Sequence, residues 1–364
     1  DTVSKADGGT FEANVTFAAA ADIITETLGT DNVRLGENAG NSIASGGDNN
    51  VTIGKDAGTA ITTGDRNTAV GKDALKTATT ASYNTAIGYQ ALEANTGSGN
   101  TAVGDQALEA NIGGANNTAM GDDALVANTT GDNNTAIGVS ALGAVTTGDE
   151  NTAVGKSALL VNTASEATAV GFEAAKSNTS GVNLTAVGWQ ALKENTTGNH
   201  NTAMGIACLD ANTTGASNTA VGVGTLGANT TASNNTAIGH SAFLNNTTGD
   251  AGVAVGKSTL TSNTTGRFNT GCGYEALYSN TTGGYNTAVG RFALGAATTG
   301  GTNIGVGSGA GSGITTGAGN TCIGIEAGQN TVAVTTGTDN IFIGYQARAN
   351  ASDANHQIVL GRQV

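Results

Sequence analysis

One five-residue phrase, Asn-Thr-Ala-Val-Gly, recurs through this chain at a spacing of 17 residues, and no other feature restricts the fold so severely. It stands at Asn67–Gly71, returns as Asn84–Gly88 and Asn100–Gly104, and is still legible at Asn320–Gly324. A short fixed period means that each copy is one structural unit stacked on the last, rather than part of a unique globular core. The glycines that close the phrase run from Gly36 to Gly361, 20 in all, with steps of 16 to 18 residues except one of 20 into Gly344. The extra residues of that step, near Val332–Thr338, read as a local loop. The array predicts an all-β protein: a parallel β-solenoid or β-roll of about 20 coils over 33–364, preceded by a connector or cap over 1–32.

Within the coil Asn134–Glu150, Asn134-Thr135-Ala136-Ile137-Gly138 reads as a short strand, with Thr135 and Ile137 on one face by the alternation of strand side chains. Elsewhere the Thr column becomes Val33, Val51, Val253, Ile304, Ile341 and Ile358, so this face is expected to point inward. Ala136, small in most coils, is expected to pack closely on the opposite face. Gly138 permits a bend, Ala141-Leu142 supplies a second apolar pair, and Thr146-Thr147-Gly148-Asp149 makes the return turn. Two short strands per coil follow, with Asn and Thr ladders satisfying polar groups at the corners.

Four modest apolar side chains per coil, at about 1.5–3 kcal/mol each, are little to set against about 1–2 kcal/mol of backbone ordering per residue. Burial against neighbouring chains would help, which favours a homotrimer packed around a shared axis over a lone solenoid. The net charge of −14 argues against nucleic acid or an anionic membrane as a partner, and no apolar run approaches a membrane span.

The phrase Thr-Ala-Val-Gly-x-x-Ala resembles the head repeat of trimeric autotransporter adhesins of the YadA type, which form a trimeric β-roll. The longer phrase Asn84–Leu92, with Asn-Thr-Thr-Gly at Asn195–Gly198, is closer to the repeats of bacteriophage tail-fibre proteins. Val3–Phe17 and His356–Gly361 also resemble passages that flank such arrays, and an intramolecular chaperone often follows them. The resemblance implies a homotrimeric fibre shaft in the virion. Its partners would be other tail proteins and a host-cell surface glycan or protein. A bacterial surface adhesin or extracellular filament is the alternative. Ice binding through stacked Thr is a third reading, disfavoured while the Thr column is taken to face inward.

Candidate chemistry is sparse. Gly222, Gly224 and Gly227 match a GxGxxG pattern, but Gly222 merely closes a repeat phrase. Asp65, Asp132, Asp149 and Asp250 share one turn position and read as solvated turn carboxylates rather than a calcium site. Acidic residues scattered over varying turn positions do not suggest a glycosidase pair, and no catalytic residue, cofactor or metal is expected. Cys208, Cys272 and Cys322 replace small or apolar repeat residues and read as buried hydrophobes, too far apart for a disulfide. The residue after each closing Gly varies from Tyr89 to Asp105, Phe172, Trp189, Tyr274 and Tyr345, so that column faces outward. With Phe268, Tyr278, Tyr285 and Phe292, these aromatics are the candidate recognition residues.

Overall fold

The computed structural model describes residues 28–329 and 335–361. The connector expected over 1–32 therefore lies outside the described residues up to 27, and the loop near Val332–Thr338 is described only from 335. Among the described residues are 20 strands, from Val33–Leu35 (β1) to Ile358–Leu360 (β20), and no helix. Each strand pairs with the next in parallel and in register: Thr118↔Thr135, Ala119↔Ala136 and Met120↔Ile137 are one step, and the rest follow suit. The period is thus a solenoid coil, and 20 coils at about 4.8 Å give a stack about 95 Å long.

The inward face of the strand is the reverse of the one expected. Ala136 is 0% exposed whereas Ile137 is 38% exposed, and Thr135 is half-buried. The Ala column faces the interior, and the Thr and Val/Ile columns face out. The reason is the narrowness of a 17-residue coil. The buried Ala141-Leu142 pair and its equivalents stand opposite the strand, and Leu fills the space, leaving room for little more than a methyl group. The β-branched residues occupy the pleated outer surface, which they also suit.

The exceptions in the Ala column show the same limit. Thr52 is buried where the neighbouring Leu positions shrink to Gly40 and Gly58, and a Cβ on Gly58 would come within 2.7 Å of Thr52 Cγ2. Phe342 is buried where the Leu position shrinks to Gly328, whose added Cβ would stand 2.5 Å from Cys322 Sγ and 3.3 Å from the Phe342 ring. Phe243, enlarged at a Leu position, faces Gly252, where an added Cβ would lie 2.5 Å from the ring. Interior volume is conserved by trading large for small across the coil.

The second strand expected in each coil is absent among the described residues. Ser140 (φ 55°) and Leu142 (φ 51°) both lie in the left-handed region, so the chain turns at every second residue instead of extending. A third left-handed residue, such as Asn133 (φ 58°), precedes each strand phrase. Bulky residues rarely adopt this conformation. Here axial hydrogen bonds hold them in it: Ser140 N–H donates to Asp122 O (2.8 Å), and Leu142 N–H to Ala158 O (3.0 Å). The closing glycine at φ 129° completes the corner, and a Cβ there would strike the next coil's Gly155 carbonyl carbon at 2.7 Å.

Polar ladders complete the interior. In the column before each strand, Asn134 Oδ1 accepts from the Asn151 backbone N–H (3.0 Å), and Asn134 Nδ2 donates to Gly148 O (2.8 Å). In a second column the side chains bond directly to one another: Asn111 donates to Asn95, and Asn128 to Asn111, at 2.6 and 2.8 Å. That ladder resumes from Asn162 and runs to Asn280. It is interrupted by Val145 and Ala297, and Asn128 Oδ1 and Asn280 Oδ1, the atoms facing those gaps, are buried without a hydrogen-bond partner. At the return turn, Thr129 Oγ1 donates to the Thr146 carbonyl (2.9 Å), a bond repeated by Thr179, Thr196, Thr264 and Thr281.

Candidate recognition surface

The strands present two outward columns per coil. The first holds 14 Thr and six Val or Ile, and the second holds only Val, Ile, Leu, Met and Cys272. None of these 40 positions (2 × 20) is charged, although the chain carries 14 Lys and Arg and 28 Asp and Glu. Arg34, in the inward column of the terminal strand, is the one charged strand residue among those described. None of the 14 strand Thr hydroxyls takes part in a hydrogen bond within the described residues, in contrast to the turn threonines. Sequence reasoning missed this face because it assigned the Thr column to the interior. The signal was nonetheless present: a column free of Ala and Leu, with Thr at most positions, is what an exposed sheet surface tolerates.

The column after each closing Gly lies outside, with Trp189 49% exposed and Tyr89, Phe172, Tyr274 and Tyr345 comparably open. The axial repeat brings several of the candidate aromatics together. Phe172 and Trp189, one coil apart, stack with ring centroids 6.5 Å apart and planes 11° from parallel. Phe268 and Tyr285 stack at 4.9 Å, and Tyr274 meets Phe292 edge-on at 5.5 Å. Phe268 and Tyr285 belong to the left-handed column before the strand, at the opposite end of the strand from Tyr274. Phe268, Tyr274, Tyr278, Tyr285 and Phe292, which fall close together in sequence, therefore form two pairs at opposite ends of the strand, with Tyr278 exposed on the Leu side of the coil.

Cations sit over several of these rings. Lys72 stands 5.1 Å above Tyr89, Lys257 5.9 Å from Tyr274, and Arg291 4.3 Å from Phe292. Hydrogen bonding to the Glu275 side chain, then its charge, raises the Tyr274 phenol above its ordinary pKa. Tyr83 was not singled out from the sequence, yet it is well exposed and carries Arg66 both over its ring (5.3 Å) and on its hydroxyl (2.8 Å).

The turn aspartates act on the backbone of the preceding coil. Asp149 Oδ1 accepts from Asp132 N–H (2.8 Å), Asp132 Oδ1 from Ala115 N–H (2.6 Å), and Asp250 Oδ1 from Ser233 N–H (2.8 Å). Ser82 and Ser165 perform the same service with a hydroxyl, so the column needs an acceptor rather than a charge. Beside the shallow groove lined by Thr77, Glu93 and Glu109, burial followed by the charges of Glu93, Asp123 and Asp105 raises the Glu109 pKa. Among the described residues no group of three His, Cys, Asp or Glu side chains is placed to hold a metal ion.

All three cysteines are free, but only two are buried. Burial pushes the Cys208 and Cys322 thiols up to about 12. Cys272, expected in the interior, is exposed because it occupies the outward Val/Ile column. Gly222 and Gly224 are corner residues of one coil with no helix behind them, which removes the structural context a dinucleotide site requires.

No protein-family model matches this chain, and no curated protein or solved structure matches it either. Among the described residues no helix is long and apolar enough to cross a membrane.

Proposed function

We propose that this chain is the shaft of a homotrimeric fibre, in particular a bacteriophage tail fibre that holds a host-binding tip away from the virion. The observation that carries this reading is the uninterrupted parallel register of 20 strands. Every coil is tied to the next by backbone and Asn bonds along one axis, so load along or across the stack is shared by repeated bonds. The role is mechanical rather than enzymatic. The exposed aromatics, above all the Phe172–Trp189 stack, are the positions offered to a cell-surface glycan or protein. A bacterial surface adhesin or filament built from the same coil would use these properties in the same way.

Cryo-electron microscopy of the native particle tests the assignment. A three-fold fibre on a capsid tail, with this coil stack resolved in it, is the expected view. The same stack emerging from a bacterial envelope would transfer the role to an adhesin. A globular particle with no rod about 95 Å long would defeat both.

One observation favours a second reading. The Thr column faces out with unbonded hydroxyls on a charge-free surface, which removes the reason for setting ice binding aside. Thermal hysteresis and faceted ice growth in dilute purified protein would support it, and ordinary freezing would dismiss it.

A further inference from the structure

We propose that the strand face, made by the outward Thr and Val/Ile columns, is the surface along which copies of this chain associate side by side. The inference rests on the fibre reading above and identifies which side of the coil meets a second copy. Twenty strands spaced about 4.8 Å apart and about 10 Å wide present about 950 Å². A standard protein interface buries about 800 Å² per partner, so this uncharged face, apolar along one column and mostly Thr along the other, is large enough to form one.

Charge separates this side from the others. With a net charge of −14, two copies repel one another through any side that carries the acidic turns, and the strand face is the side without charges. Its outer column supplies Ile87, Met120, Ile137, Val170, Met204 and Ile238, each exposed. The Thr hydroxyls beside them have unused donors and acceptors, which a partner surface can satisfy without desolvating an ion.

Periodicity selects a second copy as the occupant. The apolar ridges recur once per coil along the whole stack, and a partner that fills the grooves between them must carry ridges at the same interval over a comparable length. Another copy of this chain does so by construction, whereas a globular partner covers only a few coils. Ice is the competing occupant, because it too is periodic.

Sedimentation of the full chain tests the proposal, with circular dichroism confirming that each variant is folded. The wild-type protein is expected at a multiple of 35.4 kDa. The variant Ile137→Lys/Val170→Lys/Met204→Lys, altered only at exposed positions of this face, is expected at 35.4 kDa under the same conditions. The control Thr130→Lys/Thr147→Lys/Thr197→Lys, placed on the return turns, is expected to keep the wild-type mass. Cys272 provides an independent readout on the unmodified chain. It lies on this face, so its alkylation by a maleimide should accelerate at least about tenfold when dilution dissociates the oligomer. Cys208 and Cys322 should stay inert throughout.

A wild-type protein that sediments at 35.4 kDa at tens of micromolar overturns the proposal, as does an oligomer broken by the turn lysines but not by the face lysines. A monomer that shows thermal hysteresis, lost in the face variant, gives the surface to ice instead. The fibre reading fails separately, by the absence of rods in micrographs.

Discussion

Replacing Val145 with Asn is expected to stabilise the coil stack by about 1–2 kcal/mol, although it places a polar residue in a fully buried position. Val145 interrupts the side-chain ladder between Asn128 and Asn162 and leaves Asn128 Oδ1 unpartnered. An unsatisfied buried acceptor costs about 1–3 kcal/mol, and an ordinary intramolecular hydrogen bond contributes about 1 kcal/mol net. In Val145→Asn the new amide would donate to Asn128 Oδ1 and to Gly148 O, as Asn128 does to Asn111 and Gly131. Its oxygen would accept from Asn162, whose Nδ2 now reaches Asn151 Oδ1 at 3.3 Å. Against these gains stands the loss of a buried Val side chain, about 2 kcal/mol.

Ala297→Asn is the discriminating comparison. It would satisfy Asn280 Oδ1, but the next residue in the column is Ile314, so the orphaned acceptor would move to position 297 rather than disappear. Its net effect should be within about 0.5 kcal/mol of zero, while Val145→Ala should cost about 1–2 kcal/mol through the lost methyl groups and the cavity, the orphaned acceptor being unchanged from the wild type. Urea titration with hydrogen exchange of the amides in coils 134–178 measures both the global and local response, because stability in a repeat stack is largely a nearest-neighbour sum. If Val145→Asn were no more stable than Val145→Ala, the ladder would not be the source of interior stability argued above.

Three further sets of substitutions probe the corners and the charges. Gly205→Ala should cost about 2 kcal/mol or more in denaturation, because the position has φ 141° and the new methyl would lie 2.3 Å from the Gly222 carbonyl oxygen. Thr302→Asn should raise the unfolding midpoint by the equivalent of about 1 kcal/mol, since β-branched Thr302 sits at φ 60° in a column where Asn116, Asn133 and Asn183 adopt the same conformation. Asp210 and Asp73 predict opposite pH behaviour. Burial raises the folded pKa of Asp210 above 3.8, so its carboxylate destabilises the fold at neutral pH and Asp210→Asn should stabilise it there, with the gain vanishing below about pH 4. Hydrogen bonds from Lys72 and Lys76 lower the Asp73 pKa, so Asp73→Asn should destabilise at pH 7. That loss should fade as pH falls through the depressed value, which chemical denaturation across pH 2–7 will show as a convergence of variant and wild type.

The coil period, the parallel stacking, the corner glycines and the outward column after them were all legible in the sequence, because each follows from a repeated residue type and local stereochemistry. So was the role of Asn in ladders, since a polar residue repeated at coil spacing has its own copy as its nearest neighbour. What misled was the strand's orientation. Thr, Val and Ile suggest an interior column when taken singly, and only the distance between the two walls of the coil reveals that little more than a methyl group fits opposite Leu, with Thr52 and Phe342 admitted only where the facing residue is Gly. The second strand failed for a related reason: Ser140 and Leu142 have no sequence signature of the left-handed conformation, and the axial bonds of neighbouring coils impose it.

The aromatic pairs show the same division. Their spacing put Phe172 and Trp189 in one column of adjacent coils. The same register put Phe268 and Tyr285 before the strand and Tyr274 after it, whereas the 11° stacking of Phe172 on Trp189 and the edge-on contact of Tyr274 with Phe292 were decided by the fold. The sequence by itself determined that this chain is a stack of like coils, because period is a one-dimensional property that survives without any knowledge of packing. Which columns face water was decided only by the tertiary structure, because inside and outside are set by the width of the closed coil, and that width is fixed by residues on its far side.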